Sequence, residues 1–150
     1  MGRYAEGTEV PVGRSIDQIR AILLGAGATH YAYGEGPDNA GVQFALGGLH
    51  YRFTVARPSW DDISDRYGAP GRVDQARAVD AEWRRRWRAR HLWVKAQIEF
   101  AAVEPTAFAE AMLGFAVLPD GRTLGDWAKP QLASAYERGA MPPLLLGSGS

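Results

Sequence analysis

Basic and aromatic side chains are interleaved in the stretch from Trp83 to Lys95, which reads WRRRWRARHLWVK. The stretch holds six basic residues and no acidic residue. Proteins bind single-stranded nucleic acid with cationic grooves that follow the phosphates and with aromatic rings that stack on the bases. Arginine suits this task, because its planar guanidinium pairs with phosphate and stacks on flat rings. The interleaving therefore predicts binding of single-stranded nucleic acid, either DNA or RNA.

The candidate binding residues follow from helical periodicity. On a helical wheel Arg84, Arg88 and Lys95 fall together, roughly 100° from an apolar stripe. The sequence leaves open whether these three side chains line an open groove or are paired with acidic residues. Two residues on the polar face of the predicted sheet, and either Tyr31 or Tyr33, would extend this surface. The predicted nucleic-acid-binding residues are Arg84, Arg85, Arg88, Lys95, Arg52 and His50.

The same stretch has a structural interpretation. Trp83 and Trp87 lie on the apolar stripe, which is typical of core residues, and Asp80 or Glu82 is spaced to pair with nearby arginines. In that case the protein would be an interaction module that binds another protein. Its candidate contacts are Trp60 and the apolar tail MPPLLL at residues 141–146, because exposed apolar clusters mark interfaces.

The three histidines do not form a recognisable metal motif. His30 and His50 fall on predicted strands, His91 falls on the long helix, and no HExxH pattern occurs. We interpret His91 as a partly buried packing residue. The sequence therefore predicts no metal site and no cofactor.

Three aspartates, Asp61, Asp62 and Asp65, cluster in a predicted loop. A nuclease can hold Mg²⁺ with such carboxylates, because Mg²⁺ takes oxygen ligands. A solvated turn that caps a short helix near residues 60–67 accounts for them more simply. Enzymatic activity is left open but is not favoured.

Composition bounds the class of protein. The chain has 150 residues, 46% of them hydrophobic, and equal numbers of basic and acidic residues. This size and composition predict one globular domain over residues 1–146, followed by a flexible GSGS tail at 147–150. No signal-like segment and no run of roughly 20 apolar residues occurs, so we expect a soluble cytoplasmic protein without membrane contact. Self-association is left open.

The longest predicted element is a helix over residues 73–103, which contains no Gly and no Pro. A shorter helix is predicted over 16–24, where Ser15 and Gln18 match a capping box. A short edge strand is predicted before it, over residues 8–12.

A meander of three strands is predicted at residues 29–33, 41–46 and 49–56. Gly47-Gly48 suits a two-residue hairpin turn, since glycine adopts the required positive φ. This register places one set of side chains on the apolar face: Val42, Phe44, Leu46, Leu49, Tyr51, Phe53 and Val55. The polar face then carries Gln43, Ala45, His50, Arg52 and Thr54.

The C-terminal part predicts a short helix capped by Thr106, a strand over 115–118, and a helix over 124–138 re-entered at Pro130. Thr123 resembles a helix cap, and Gly139 ends that helix. The whole pattern predicts an α+β fold: a three-stranded antiparallel meander packed on one long helix, with an N-terminal helix and a C-terminal strand–helix unit.

Two motifs carry a resemblance that covers nearly the whole chain. They are VPV-x2-S-x2-QI from residue 10 and VLPDGRT-x2-DW-x2-PQ-x3-AY-x2-G-x-MPPLL from residue 117. This pattern resembles a family of small proteins encoded in bacteriophage and prophage genomes. The resemblance implies a phage-borne accessory protein that acts inside the cell, and it assigns no site residue. The interaction module considered above would then bind a host or phage protein. The order of elements is also similar to that of single-strand annealing proteins.

Overall fold

The computed structural model describes residues 9–68 and 74–141. The first residue of the predicted long helix, most of the apolar tail and the GSGS segment lie outside these ranges. The helices and strands follow in this order: α1 (Val12–Gly25), β1 (Thr29–Glu35), β2 (Asn39–Leu46), β3 (Leu49–Ala56), α2 (Trp60–Ile63), α3 (Gln75–Val103), α4 (Ala107–Met112) and α5 (Leu124–Arg138). Two 3₁₀ turns, Ser64–Arg66 and Leu113–Phe115, follow α2 and α4. The α+β prediction is confirmed.

The three strands form an antiparallel sheet in the order β1-β2-β3. Gly47 and Gly48 have φ values of 60° and 85° and form the predicted hairpin turn. The register pairs Phe44 with Tyr51 and confirms the predicted alternation. The alternation and the turn require the same register, because a shift by one residue would turn the apolar side chains towards solvent.

The long helix α3 lies on the apolar face of the sheet. Asp74 caps it by accepting a hydrogen bond from the backbone N–H of Arg77. Trp87 and Val94 are buried in the core, as the apolar stripe predicted. The helix α1 packs beside α3. The core cluster comprises Ile19, Leu23, Ala28, Ala40, Val42, Phe44, Tyr51, Phe53, Val55, Trp87, Val94, Phe108, Met112 and Ala116.

The N-terminal prediction was wrong in two respects. The helix α1 begins at Val12, directly after Pro11, so the described part of the predicted 8–12 strand is not a strand. Proline fixes φ near the helical value, and its carbonyl accepts the first helical hydrogen bonds, from the N–H groups of Arg14 and Ser15. Ser15 therefore lies inside the helix, fully buried, and does not cap it.

The C-terminal unit differs from its prediction as well. Residues 115–118 form no strand; Ala116 makes one isolated bridge to Tyr51. The helix α5 is continuous from Leu124 to Arg138 with Pro130 inside it, and Thr123 caps it as predicted. Gly139, with φ of 67°, ends it. Among the described residues no side-chain hydrogen bond caps α4, so Thr106 does not act as predicted.

Candidate functional site

The six predicted nucleic-acid-binding residues do not form one continuous surface. His50 and Arg52 lie on the face of the sheet opposite to α3, because their neighbours Tyr51 and Phe53 point into the core. Arg52 is engaged by its own chain and donates a hydrogen bond of 2.6 Å to the carbonyl of Gly121. Arg84, Arg85, Arg88 and Lys95 all belong to α3, on the other side of the sheet.

The tyrosines that were expected to extend the surface do not lie on the face of His50 and Arg52. Tyr31 and Tyr33 both pack against the core cluster. The ring of Tyr33 meets that of Trp87, with 5.9 Å between the ring centroids. Neither tyrosine therefore joins the polar face of the sheet to the basic side of α3.

The basic line of Arg84, Arg88 and Lys95 on α3 is largely covered by α1. Arg88 donates to the side-chain oxygen of Gln18 on α1 at 3.0 Å, and its Nη1 lies 2.9 Å from Nδ1 of His91. Arg84 is half-buried. Only Lys95 of the three is exposed, and its ammonium lies 3.9 Å from Glu99. The three residues therefore form no continuous open groove, because this side of α3 packs against α1.

Three arginines converge on the buried carboxylate of Glu82. Arg85 donates two hydrogen bonds of 2.8 Å, Arg66 donates two of 2.8 and 3.5 Å, and Arg86 donates one of 3.1 Å. Burial alone would raise the pKa of Glu82, but the hydrogen bonds from Arg85, Arg66 and Arg86 outweigh it and lower the pKa from 4.5 to about 2. The predicted pairing of Glu82 with a nearby arginine is confirmed. We call these four side chains the Glu82 cluster.

Two arginines of α3 also cover the free edge of β3. Arg86 donates to the carbonyl of Ala56 at 2.9 Å, and Arg90 donates to the carbonyl of Thr54 at 3.2 Å. β3 is an edge strand, so these carbonyls point away from β2. Unpaired edge carbonyls invite pairing with another chain, and covering them removes that risk.

A groove of about 410 Å³ runs between α3 and this edge of β3. Its lining residues are Thr54, Val55, Ala56, Arg85, Arg86, Ala89, Arg90 and Trp93. We call it the arginine groove. The guanidinium carbon of Arg90 lies 4.6 Å from the ring centroid of Trp93 and 5.1 Å from that of Phe53. Burial lowers the pKa of Arg90, but a guanidinium stays protonated in proteins.

The sequence prediction included Arg85 but missed Arg86 and Arg90. A signal for them existed, because positions 86, 89, 90 and 93 are spaced i, i+3, i+4 and i+7 and therefore share one face of a helix. The helical wheel instead placed the predicted site on the face of Arg84, Arg88 and Lys95, which packs against α1. The strand edge that completes the groove is distant in sequence and carries no local signal.

Of the clustered aspartates, Asp62 forms a capping box with Ser59 at the start of α2. The carboxylate of Asp62 accepts a hydrogen bond of 2.7 Å from the N–H of Ser59, and the Ser59 hydroxyl accepts one from the N–H of Asp62. The backbone hydrogen bond from Ser59 lowers the pKa of Asp62. Across residues 9–68 and 74–141, no three His, Cys, Asp or Glu side chains are grouped so that they could hold a metal ion.

A second, apolar groove of about 800 Å³ lies between the end of α3, the helix α4 and the β2–β3 hairpin. It is lined by Ala26, Leu46, Gly47, Tyr51, Ile98, Ala101, Ala102, Pro105, Thr106, Phe108, Ala109 and Glu110. Burial raises the pKa of the Tyr51 hydroxyl. Glu110 is the one charged residue in this lining.

Comparison with known protein families, with curated proteins and with solved structures finds no match to this chain. A functional proposal for this chain therefore depends on the geometry of its own residues. None of the described helices is both long and apolar enough to span a membrane.

Proposed function

We propose that this protein binds single-stranded nucleic acid along the arginine groove, as a phage-borne accessory protein of replication or recombination. The observation that carries this proposal is the convergence of Arg85, Arg86 and Arg90 in one open groove beside β3. The phage origin rests on the sequence resemblance, and the groove supplies the chemistry.

The groove retains unused hydrogen-bond donors. A guanidinium has five N–H donors. Contacts with the described residues use two donors of Arg86 and one donor of Arg90. The remaining donors of Arg86 and Arg90 make no hydrogen bond to a described residue. Arginine binds phosphate oxygens in a planar, often bidentate arrangement.

The local charge also favours an anionic ligand. The four arginines Arg66, Arg85, Arg86 and Arg90 outnumber by one the three acidic groups that act on them, which are Glu82, Asp62 and Asp65. The chain as a whole carries no net charge. A ligand responds to the local field rather than to the total charge, so a positive groove on a neutral protein would bind phosphates selectively.

Base stacking in this groove would use the guanidinium of Arg90. The ring of Trp93 already meets Phe53 and Phe115, at centroid distances of 5.6 and 5.3 Å, and Arg90 lies over it. Nucleic-acid bases stack on guanidinium planes as well as on aromatic rings. Trp93 thus holds the planar cation in place instead of meeting the base itself.

A substitution that adds a negative charge to the lining of the arginine groove tests the proposal and removes none of the observed contacts. Ala89 is exposed and lies between the groove arginines, so Ala89→Glu adds a carboxylate at the proposed phosphate path. We expect it to weaken binding of a labelled oligonucleotide at least tenfold in fluorescence anisotropy, and to make binding less salt-dependent by about one phosphate contact. Ala76→Glu, on an exposed turn outside the groove, is the matched control. Equal affinity of the two variants, or no binding by the unchanged protein at low salt, would exclude the groove.

A second candidate function is that of a protein-interaction module, which the apolar groove favours. We infer that its occupant would be an amphipathic helix of a partner protein, with an apolar face for the groove and a basic residue for Glu110. Ala102 is exposed within the lining, so Ala102→Glu would block such a helix. Affinity purification from infected cells, with nuclease treatment, compares the two functions. A protein partner lost with Ala102→Glu and kept with Ala89→Glu supports this second function, and the reverse pattern contradicts it.

A further inference from the structure

The imidazole rings of His30 and His50 meet on the outer face of the sheet, with 5.8 Å between their centroids. The two residues lie on β1 and β3, which are separated by β2. Neighbouring strands are about 4.8 Å apart, so the two backbones are roughly 10 Å apart. The rings therefore lean towards each other over Ala45, whose register partners are Thr29 and His50 and whose methyl group leaves room for them.

The backbone of β1 is irregular at the histidine. The register of β1 on β2 shifts between Thr29 and Ala32, which marks a β-bulge. His30 has a φ of 52°, and among the described residues it is the only non-glycine residue with a positive φ. Bulges re-aim side chains next to functional sites, and a strained backbone conformation persists where the surrounding structure enforces it. Here the irregular backbone directs the His30 ring towards that of His50.

We propose that His30 and His50 form a two-imidazole site for a divalent late first-row transition metal, with Zn²⁺, Ni²⁺ and Cu²⁺ as the candidates. Two imidazoles that bind one ion through nitrogens about 2.0–2.1 Å from it have centroids roughly 5–6 Å apart. The observed spacing matches this range. Imidazole nitrogen is a ligand that these metals prefer, whereas Mg²⁺ and Ca²⁺ prefer oxygen.

A neighbouring hydroxyl orients one of the two ligands. The Oγ1 of Thr29 lies 2.9 Å from Nδ1 of His30. With the ring proton on Nδ1 donated to this hydroxyl, the lone pair of Nε2 is directed away from Thr29 and is available to the metal. Metal-binding histidines typically use their second nitrogen in this way.

The remaining coordination positions are open. Both histidines are exposed, and the described residues contribute no third His, Cys, Asp or Glu to the pair. Water or a donor from another molecule would complete the coordination. The pair lies at the hairpin end of β3, whereas the arginine groove lies beside Thr54 and Ala56 near its other end, so this inference does not depend on the proposed function.

The test is calorimetric titration of the tag-free protein with Zn²⁺ alone, and then with Ni²⁺ and Cu²⁺. We expect one ion per chain, and the substitutions His30→Asn and His50→Gln should each weaken binding at least about tenfold. Asparagine is chosen at position 30 because it tolerates positive φ. Thr29→Ala should weaken binding to a smaller extent, and Thr54→Ala, an exposed threonine on the same sheet face, should leave it unchanged.

A spectroscopic measurement distinguishes these ligands from other groups. In NMR spectra of the histidine side chains, Zn²⁺ should shift the resonances of His30 and His50, whereas those of the buried His91 should not change. Melting curves confirm that each variant is folded before titration. Unchanged affinity in the folded double variant, or Zn²⁺ saturation without a shift of both rings, would overturn the proposal.

Discussion

Arg90 donates a hydrogen bond to the carbonyl of Thr54 while its guanidinium lies over the ring of Trp93. One side chain thus ties the long helix to the free edge of the sheet and forms a wall of the arginine groove. The residues that line the proposed binding site are also residues that hold the fold together. Predictions about binding and stability are therefore linked at this position.

Replacing Arg90 should destabilise the protein and expose the edge of β3. We expect Arg90→Ala to lower the free energy of unfolding by about 2–4 kcal/mol, because it removes a charged hydrogen bond and cation–π contacts. Urea denaturation measures the loss, and Arg77→Ala, an exposed arginine on the same helix, is the control. Light scattering should also show more self-association, since the Thr54 carbonyl becomes available to another strand. A variant as stable and as monomeric as the control would contradict this role.

The Glu82 cluster should be a major contributor to stability. Glu82→Gln removes the buried anion and leaves Arg85 and Arg86 partly buried and Arg66 exposed. We expect the free energy of unfolding to fall by about 1.5–3 kcal/mol, because hydrogen bonds to a charged group are lost. Asp80→Asn, an exposed carboxylate on the preceding half-turn, should change the free energy of unfolding by less than about 0.5 kcal/mol. Denaturant titration at pH 7 compares the two variants. A loss for Glu82→Gln no larger than that for Asp80→Asn would show that the cluster is not needed.

The pH dependence of stability should show two separate losses on acidification. Burial, together with the nearby charges of Arg88 and Lys95, lowers the pKa of His91 below 6.5. The unfolded chain then binds a proton that the folded protein does not, so stability falls as the pH drops below about 6.5. A further loss follows between pH 4.5 and about 2, where the unfolded chain protonates Glu82 before the folded protein does.

His91→Gln provides the check on this assignment. Gln cannot titrate, so the loss of stability that begins below about pH 6.5 should be reduced, while the loss due to Glu82 below pH 4.5 should be retained. Thermal melts across this pH range measure both. An unchanged slope between pH 6.5 and 4.5 in the variant would assign that loss to other groups.

Arg88 and Lys95 should respond differently to truncation. Arg88→Ala removes the hydrogen bond to Gln18 between α3 and α1, and we expect a cost of about 1–3 kcal/mol. Lys95→Ala should stay within about 0.5 kcal/mol of the unchanged protein, because an exposed charge contributes little. Melting temperatures of the two variants test this difference. Equal melting temperatures would show that the hydrogen bond of Arg88 to Gln18 adds no stability.

Trp87 should be the most costly aromatic residue to truncate. Its side chain is fully buried, so Trp87→Ala should lower the free energy of unfolding by about 3–5 kcal/mol. Its indole N–H has no hydrogen-bond partner among the described residues, so Trp87→Phe should cost clearly less. Denaturant titration of both variants compares their free energies of unfolding. Equal losses for Trp87→Ala and Trp87→Phe would contradict this prediction, because they would show that a phenyl ring restores none of the stability.

Local periodicity was sufficient to predict α3, the three strands and the hairpin register. Each of these is encoded within a short segment: the absence of Gly and Pro in α3, and the alternation around Gly47-Gly48. The same reasoning failed near Ser15, where the helix begins earlier, directly after Pro11. It also failed over residues 115–118, where two isolated bridges, at Ala116 and Val117, stand in place of a strand.

The arrangement of charged groups was decided only by the tertiary structure. Glu82 collects Arg66 from the preceding connection as well as two arginines of its own helix, and the sequence indicated only the helical spacing. Arg86 and Arg90 bind carbonyls of β3, and His30 meets His50 across an intervening strand. These contacts join residues far apart in the chain, so no periodic pattern reports them. They depend on how α3 lies on the sheet, which the packing of the whole core determines.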